Sequence, residues 1–210
     1  SSDVCSSDLT LLDTRSTEAF VLGSDDTWTA TETTAVSASL TKGATSIQVS
    51  SSAGFTSGRF AKIRIPNSTS ASLPVFKADE DLSYIREFIV YVSAVPDGTH
   101  LTIYPQLHAD FSSYSSVKVV PGSVSVVSGV GVEDLYITHE NNSNTSSRGV
   151  NWTSGVKESW LKNVKITGQR RYGIFATDSI RCEFDKVRIG PSVEGGGSNH
   201  SGVLLQAMNG

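Results

Sequence analysis

Tyr136, Lys165 and Arg188 each stand at the centre of an apolar, outward, apolar triplet: Leu135-Tyr136-Ile137, Val164-Lys165-Ile166 and Val187-Arg188-Ile189. If the triplets stack as parallel strands, the three fall in one column, roughly 4.8 Å apart. A ring in line with two cations suits an acidic polysaccharide. The aromatic face stacks on a sugar, and ammonium or guanidinium groups bind uronate carboxylates. The adjoining column reads Asp134, Asn163, Lys186. Exposed strands also carry Lys and Arg for solubility alone, so a purely solvated face is the competing reading.

Polar stretches follow the triplets at residues 138–148, 167–172 and 190–201, and they carry His139, Glu140, Arg148, Arg170, Arg171, Glu194 and His200. Loops leaving one corner of a stack form the wall of a groove, where binding residues concentrate. An Arg pair beside a His and a carboxylate could bind and deprotonate a uronate, although solvent exposure alone would give the same residue types. β-Elimination needs a base at C5 and neutralisation of the carboxylate. The residues by themselves leave the catalytic residues unknown. Four His and one usable Cys at unrelated positions suggest no zinc site. No Asp cluster suited to Ca²⁺ stands in the rungs present, so no metal or cofactor is expected here, with Ca²⁺ left to the full-length protein. Asp25-Asp26 reads as a turn. Gly195-Gly196-Gly197 lacks the Lys of a phosphate loop and reads as a loop tip.

The elements that would position these residues come from a repeat. Gly149-Val150-Asn151-Trp152, Gly173-Ile174-Phe175-Ala176 and Gly202-Val203-Leu204-Leu205 share one pattern. The interval is 24 residues from Gly149 to Gly173, 23 from Val164 to Val187, and 29 from Leu135 to Val164. At roughly 3.3 Å per strand residue, such a unit closes a three-sided rung. The Leu and Asn framework of leucine-rich repeats is missing. The expected fold is all-β: a right-handed parallel β-helix from about residue 122 onward, with its first coil or coils in residues 10–34. Between them, residues 35–121 have a different texture. Phe60-Ala61-Lys62-Ile63-Arg64-Ile65, Phe88-Ile89-Val90-Tyr91-Val92 and Leu101-Thr102-Ile103-Tyr104 alternate with period two, and Pro96-Asp97-Gly98 reads as a hairpin turn. This stretch is expected to be an inserted small antiparallel β module, with residues 67–83 as an exposed loop.

Val132-Glu133-Asp134-Leu135-Tyr136-Ile137 and Trp160-Leu161-Lys162-Asn163-Val164-Lys165-Ile166 resemble the pectate-lyase-like (pectin lyase fold) β-helix superfamily. The resemblance covers residues 123–210 well and residues 10–30 weakly. It implies a carbohydrate-active protein, since such helices host lyases, hydrolases, tailspikes and adhesins. Chondroitin and alginate lyases of this type use a Lys base with an Arg on a neighbouring rung, which Lys165 and Arg188 match in outline. The Asn-x-Asp, Asp-Asp and Gly-His-Gly motifs of polygalacturonases are missing, and Asn199-His200-Ser201-Gly202 matches only loosely. The leading expectation is therefore a polysaccharide lyase or glycoside hydrolase acting on an acidic polysaccharide. The alternative is a non-catalytic glycan-binding shaft of a phage tailspike or surface adhesin, a homotrimer in the tailspike case. The stretch Gly43-Ala44-Thr45-Ser46-Ile47-Gln48-Val49 looks like a module often embedded in bacterial and phage β-helix proteins.

Composition sets wider bounds. The net charge of −4, about −2 without Asp3 and Asp8, creates no field for nucleic acid. No apolar run approaches the roughly 20 residues of a membrane helix, so no membrane insertion is expected. Ser1-Ser2-Asp3-Val4-Cys5-Ser6-Ser7-Asp8-Leu9 is similar to translated sequencing-adapter DNA and is set aside. The chain reads as an interior piece of a longer extracellular or cell-surface protein. Cys182, in Cys182-Glu183-Phe184, reads as a buried structural thiol.

Overall fold

Short β-branched and aromatic runs punctuated by Gly, Asn and Asp form strands throughout, as their propensities require. The computed structural model describes residues 10–13, 18–23, 28, 31–66, 84–139, 147–192 and 201–206. Residues 1–9, the 67–83 loop, Asp25-Asp26, Glu140, Glu194, the triple glycine and Asn199-His200 lie outside the described residues. The chain divides into two compact units, one of residues 1–24 with 127–208 and 210, the other of residues 25–126 with 209.

The chain begins with strands β1 (Thr10–Asp13) and β2 (Glu18–Leu22) of the first unit and then enters the second. There β3 (Thr33–Thr34), β4 (Ser46–Gln48), β5 (Arg59–Pro66), β6 (Tyr84–Ala94), β7 (His100–Tyr104) and β8 (Lys118–Ser125) form one antiparallel sheet in the order β3-β8-β5-β6-β7-β4. Period-two alternation sends Ala61, Ile63 and Ile65 of β5 and Val90 and Val92 of β6 into a core with Leu40, Leu101 and Val119. The turn between β6 and β7 is closed by Asp97, whose Oδ1 accepts the backbone N–H groups of Thr99 at 2.7 Å and His100 at 2.8 Å. The Thr99 amide is the main reason the Asp97 carboxyl is held below its ordinary range. Because β3 pairs with β8, and β8 pairs with β5 as far as Ser125, this sheet takes in residues 33–34 and 122–125, which lie outside the 35–121 stretch read from the sequence.

In the first unit every strand pair is parallel. Three sheets form as the chain passes through β9 (Val127–Ser128), β10 (Gly131–Thr138), β11 (Arg148–Trp152), β12 (Val156–Lys157), β13 (Trp160–Thr167), β14 (Tyr172–Thr177), β15 (Ser179–Ile180), β16 (Glu183–Asp185), β17 (Arg188–Ile189) and β18 (Ser201–Gln206). Their orders are β1-β10-β13-β16 with β17 also on β13, β2-β11-β14-β18, and β9-β12-β15. Each pass thus adds one segment to each sheet, which is a coil stacked on itself. Ile137, Val150, Trp152, Val156, Leu161, Val164, Ile166 and Ile174 fill its interior, all at most 1 % exposed.

The repeated glycine has a steric cause. A Cβ on Gly149 would lie 2.5 Å from Ile166 Cγ2 and 2.6 Å from the Gly173 carbonyl, and one on Gly173 would lie 2.7 Å from Ile189 Cγ2. At these two positions only glycine lets the corner close against the isoleucine of the facing sheet, whereas a Cβ on Gly202 would stay 4.0 Å from Ile189. A second device is a left-handed residue repeated from coil to coil, Asp134, Asn163 and Lys186, each with φ of 51°. It bends β13 so that Leu161, Val164 and Ile166 all face inward, and Lys162, Asn163 and Lys165 face out. Asp and Asn tolerate that conformation better than other residues with a Cβ, and Asn163 Nδ2 donates to Asp134 Oδ1 at 2.7 Å.

Candidate functional site

Parallel register puts Tyr136 opposite Lys165 and Lys165 opposite Arg188. The flanking Val164 and Ile166 are buried, which fixes the central residues on the outer face. Tyr136 and Lys165 are half-buried and Arg188 is exposed. Lys165 Nζ lies 4.5 Å from the centroid of the Tyr136 ring, a cation–π contact worth roughly 0.5–1 kcal/mol at such a site. The Tyr136 hydroxyl shares a 3.0 Å hydrogen bond with Thr167 Oγ1. Ring and ammonium are therefore held in place before any ligand arrives, and Arg188 continues the strip on the next coil.

The loop corner is tied together through the backbone. The His139 amide donates to the Thr167 carbonyl at 2.9 Å, the Arg171 amide to the Ser147 carbonyl at 3.0 Å, and the Arg170 amide to Ser147 Oγ at 2.9 Å. Arg170 and Arg171 are half-buried, and the Arg171 guanidinium lies 5.2 Å from the centroid of the Tyr172 ring. Arg148 is occupied by its own protein. Its Nη1 lies 3.4 Å from Glu18 Oε1, its guanidinium carbon 4.3 Å from the Phe175 centroid, and Asn151 Nδ2 donates to the same Glu18 oxygen at 2.8 Å. His139 differs from the wall position expected of it. It is 0 % exposed, and its amide is bound to the next coil, so a polymer outside cannot touch its side chain. Glu140 and His200 lie outside the described residues.

Sequence reasoning missed a second feature on the same sheet. Trp160 stands in register between Gly131 and Glu183, and Lys162 between Glu133 and Asp185. The indole Nε1 donates to Glu133 Oε1. Two open grooves, of about 330 and 290 Å³, share Trp160 and Glu183 in their linings. The signal available was weak, since the register joins residues 29 and then 23 positions apart through strand halves only three residues long.

Cys182 is half-buried against the coil interior, and burial pushes its thiol up, so it stays protonated and unreactive at neutral pH. No group of three or more His, Cys, Asp or Glu side chains able to hold a metal occurs among the described residues.

The sequence matches no family model and no curated protein. Among solved structures the chain is similar to the tailspike protein gp49 from Pseudomonas phage LKA1, with 18 % identity over 91 % of this chain and 34 % of that one, at a TM-score of 0.49. It is similar also to the gp54 tailspike of Acinetobacter baumannii bacteriophage AP22, a structure in complex with A. baumannii capsular saccharide, with 13 % identity, 90 % and 34 % coverage and a TM-score of 0.46. The Pseudomonas phage phi297 tailspike gp61 is a third, with 15 % identity, 86 % and 34 % coverage and a TM-score of 0.40. The chain spans about a third of the length of each of these tailspikes, and each likeness is one of backbone.

Proposed function

We propose that this chain carries the polysaccharide-binding surface of a right-handed parallel β-helix protein of the pectate-lyase-like type, acting as a glycan-binding shaft outside the cell or on a surface. A uronate-containing polymer runs along the Tyr136, Lys165 and Arg188 column. The supporting observation is the register itself, which sets a prepositioned ammonium and an exposed guanidinium on successive coils. At roughly 4.8 Å per coil, the two cations stand close enough together for one short segment of a uronate polymer to meet both.

The experiment compares oligogalacturonate with a neutral oligosaccharide by calorimetry. Lys165→Ala with Arg188→Ala is expected to weaken oligogalacturonate binding by about 10- to 100-fold, the scale of losing charged hydrogen bonds, and to leave the neutral sugar unchanged. Oligogalacturonate binding that is unchanged by Lys165→Ala with Arg188→Ala removes the column reading. An assay for unsaturated uronate product in the same samples separates binding from elimination. Product that disappears with Lys165→Ala alone would make Lys165 a catalytic base and the protein a lyase.

A further inference from the structure

The sheet that bears the cationic column has a second outward strip, on the other side of the Asp134, Asn163 and Lys186 bend. A side chain at Gly131 would collide with Cε2 and Nε1 of Trp160, so this glycine lets the indole lie against the backbone of the preceding coil. The indole N–H is already taken by Glu133. What the ring has left to offer is its apolar surface, and Trp160 lines both grooves. One groove is completed by Glu158, Ser159, Arg181 and Glu183, the other by Glu133, Leu161, Lys162, Glu183 and Asp185. Their volumes of about 330 and 290 Å³ sit at the small end of ligand sites, the size class for one or two sugar units rather than an extended drug-like ligand.

We infer that the Trp160 groove is a second glycan subsite that takes a pyranose rich in hydrogen-bond donors and lacking a carboxylate. The inference rests on the polysaccharide-binding reading above and names a different sugar for a different strip. Stacking on an indole face selects for a flat sugar surface. Around that groove Glu158 is paired with Lys157 at 2.8 Å, and the remaining Glu133, Glu183 and Asp185 outnumber Lys162 and Arg181. Ionised carboxylates only accept hydrogen bonds, so they pair with hydroxyl or amine donors. A uronate placed among them would meet like charge, the reverse of its position on the Lys165 strip. The two strips lie on one strand, Lys162 and Lys165 being separated by the bend at Asn163.

The test is calorimetry on the full chain with three probes: a cello-oligosaccharide, a chitosan oligosaccharide and oligogalacturonate. Trp160→Ala is expected to weaken the first or second probe at least tenfold while leaving oligogalacturonate unchanged. Lys165→Ala with Arg188→Ala does the opposite. Glu183→Gln with Asp185→Asn, which keeps both shapes, is expected to reduce chitosan binding by tenfold or more if the sugar is an amine, and cello-oligosaccharide binding by several-fold if it is neutral. The inference is overturned if neither uncharged nor amine probe binds the unmodified chain, or if Trp160→Ala abolishes oligogalacturonate binding too. If Trp160→Ala melts early, the Glu183→Gln, Asp185→Asn variant decides, and unchanged affinity for both probes overturns the inference. Loss of oligogalacturonate binding in the unmodified chain, with the other probes still bound, would remove the column reading and leave this subsite standing.

Discussion

Asn163 holds the residue-scale key to the surface. Its left-handed backbone, φ 51°, turns β13 so that Lys162 and Lys165 both point outward although they are three positions apart, an odd spacing that would put them on opposite faces of a straight strand. An ordinary side chain in that conformation costs roughly 1–2 kcal/mol. The amide offsets part of this by its bond to Asp134. Asn163→Val should therefore lower unfolding stability by about 1–2 kcal/mol or more, read from denaturant titration, whereas Asn163→Gly should cost less. Lys186 adopts the same φ without an amide side chain. The column was legible in the sequence but its bend was not: Asn163 and Asp134 are suggestive left-handed residues, whereas Lys186 does not announce one.

At the scale of elements, the glycine repeat was the part of the fold most open to reading. Gly149, Gly173 and Gly202 recur because the facing isoleucines leave no room for a Cβ at the first two, and the apolar triplets recur because their outer members fill the coil. Both are direct imprints of packing on sequence. Gly149→Ala should consequently lose about 1–3 kcal/mol through overpacking against Ile166, measured as a lowered thermal midpoint, while Gly98→Ala, where a Cβ meets nothing within 4 Å, should leave the midpoint nearly unchanged. The candidate surface was legible only where a triplet framed it. Tyr136, Lys165 and Arg188 could be aligned by their apolar neighbours, whereas Trp160 could not, because its partners Gly131 and Glu183 look alike in no property and meet only through the register. Burial of His139 was invisible for a related reason. It follows Thr138 in a polar stretch, where nothing in the residue types marks a buried position.

For the molecule as a whole, the net charge of −4 works against any polyanion at long range. On the proposed reading, attraction to a uronate polymer arises locally, from cations on one strip while carboxylates stand on the neighbouring strip around Trp160. The stacked coil supplies that segregation, since one outward position per pass becomes a continuous line. The most direct measurement is a crystal structure of the chain with a galacturonate oligosaccharide bound. The account predicts carboxylates within hydrogen-bonding distance of Lys165 Nζ and the Arg188 guanidinium, with the sugar chain running from coil to coil. An oligosaccharide lying elsewhere, with Lys165 and Arg188 contacting only water, would contradict it.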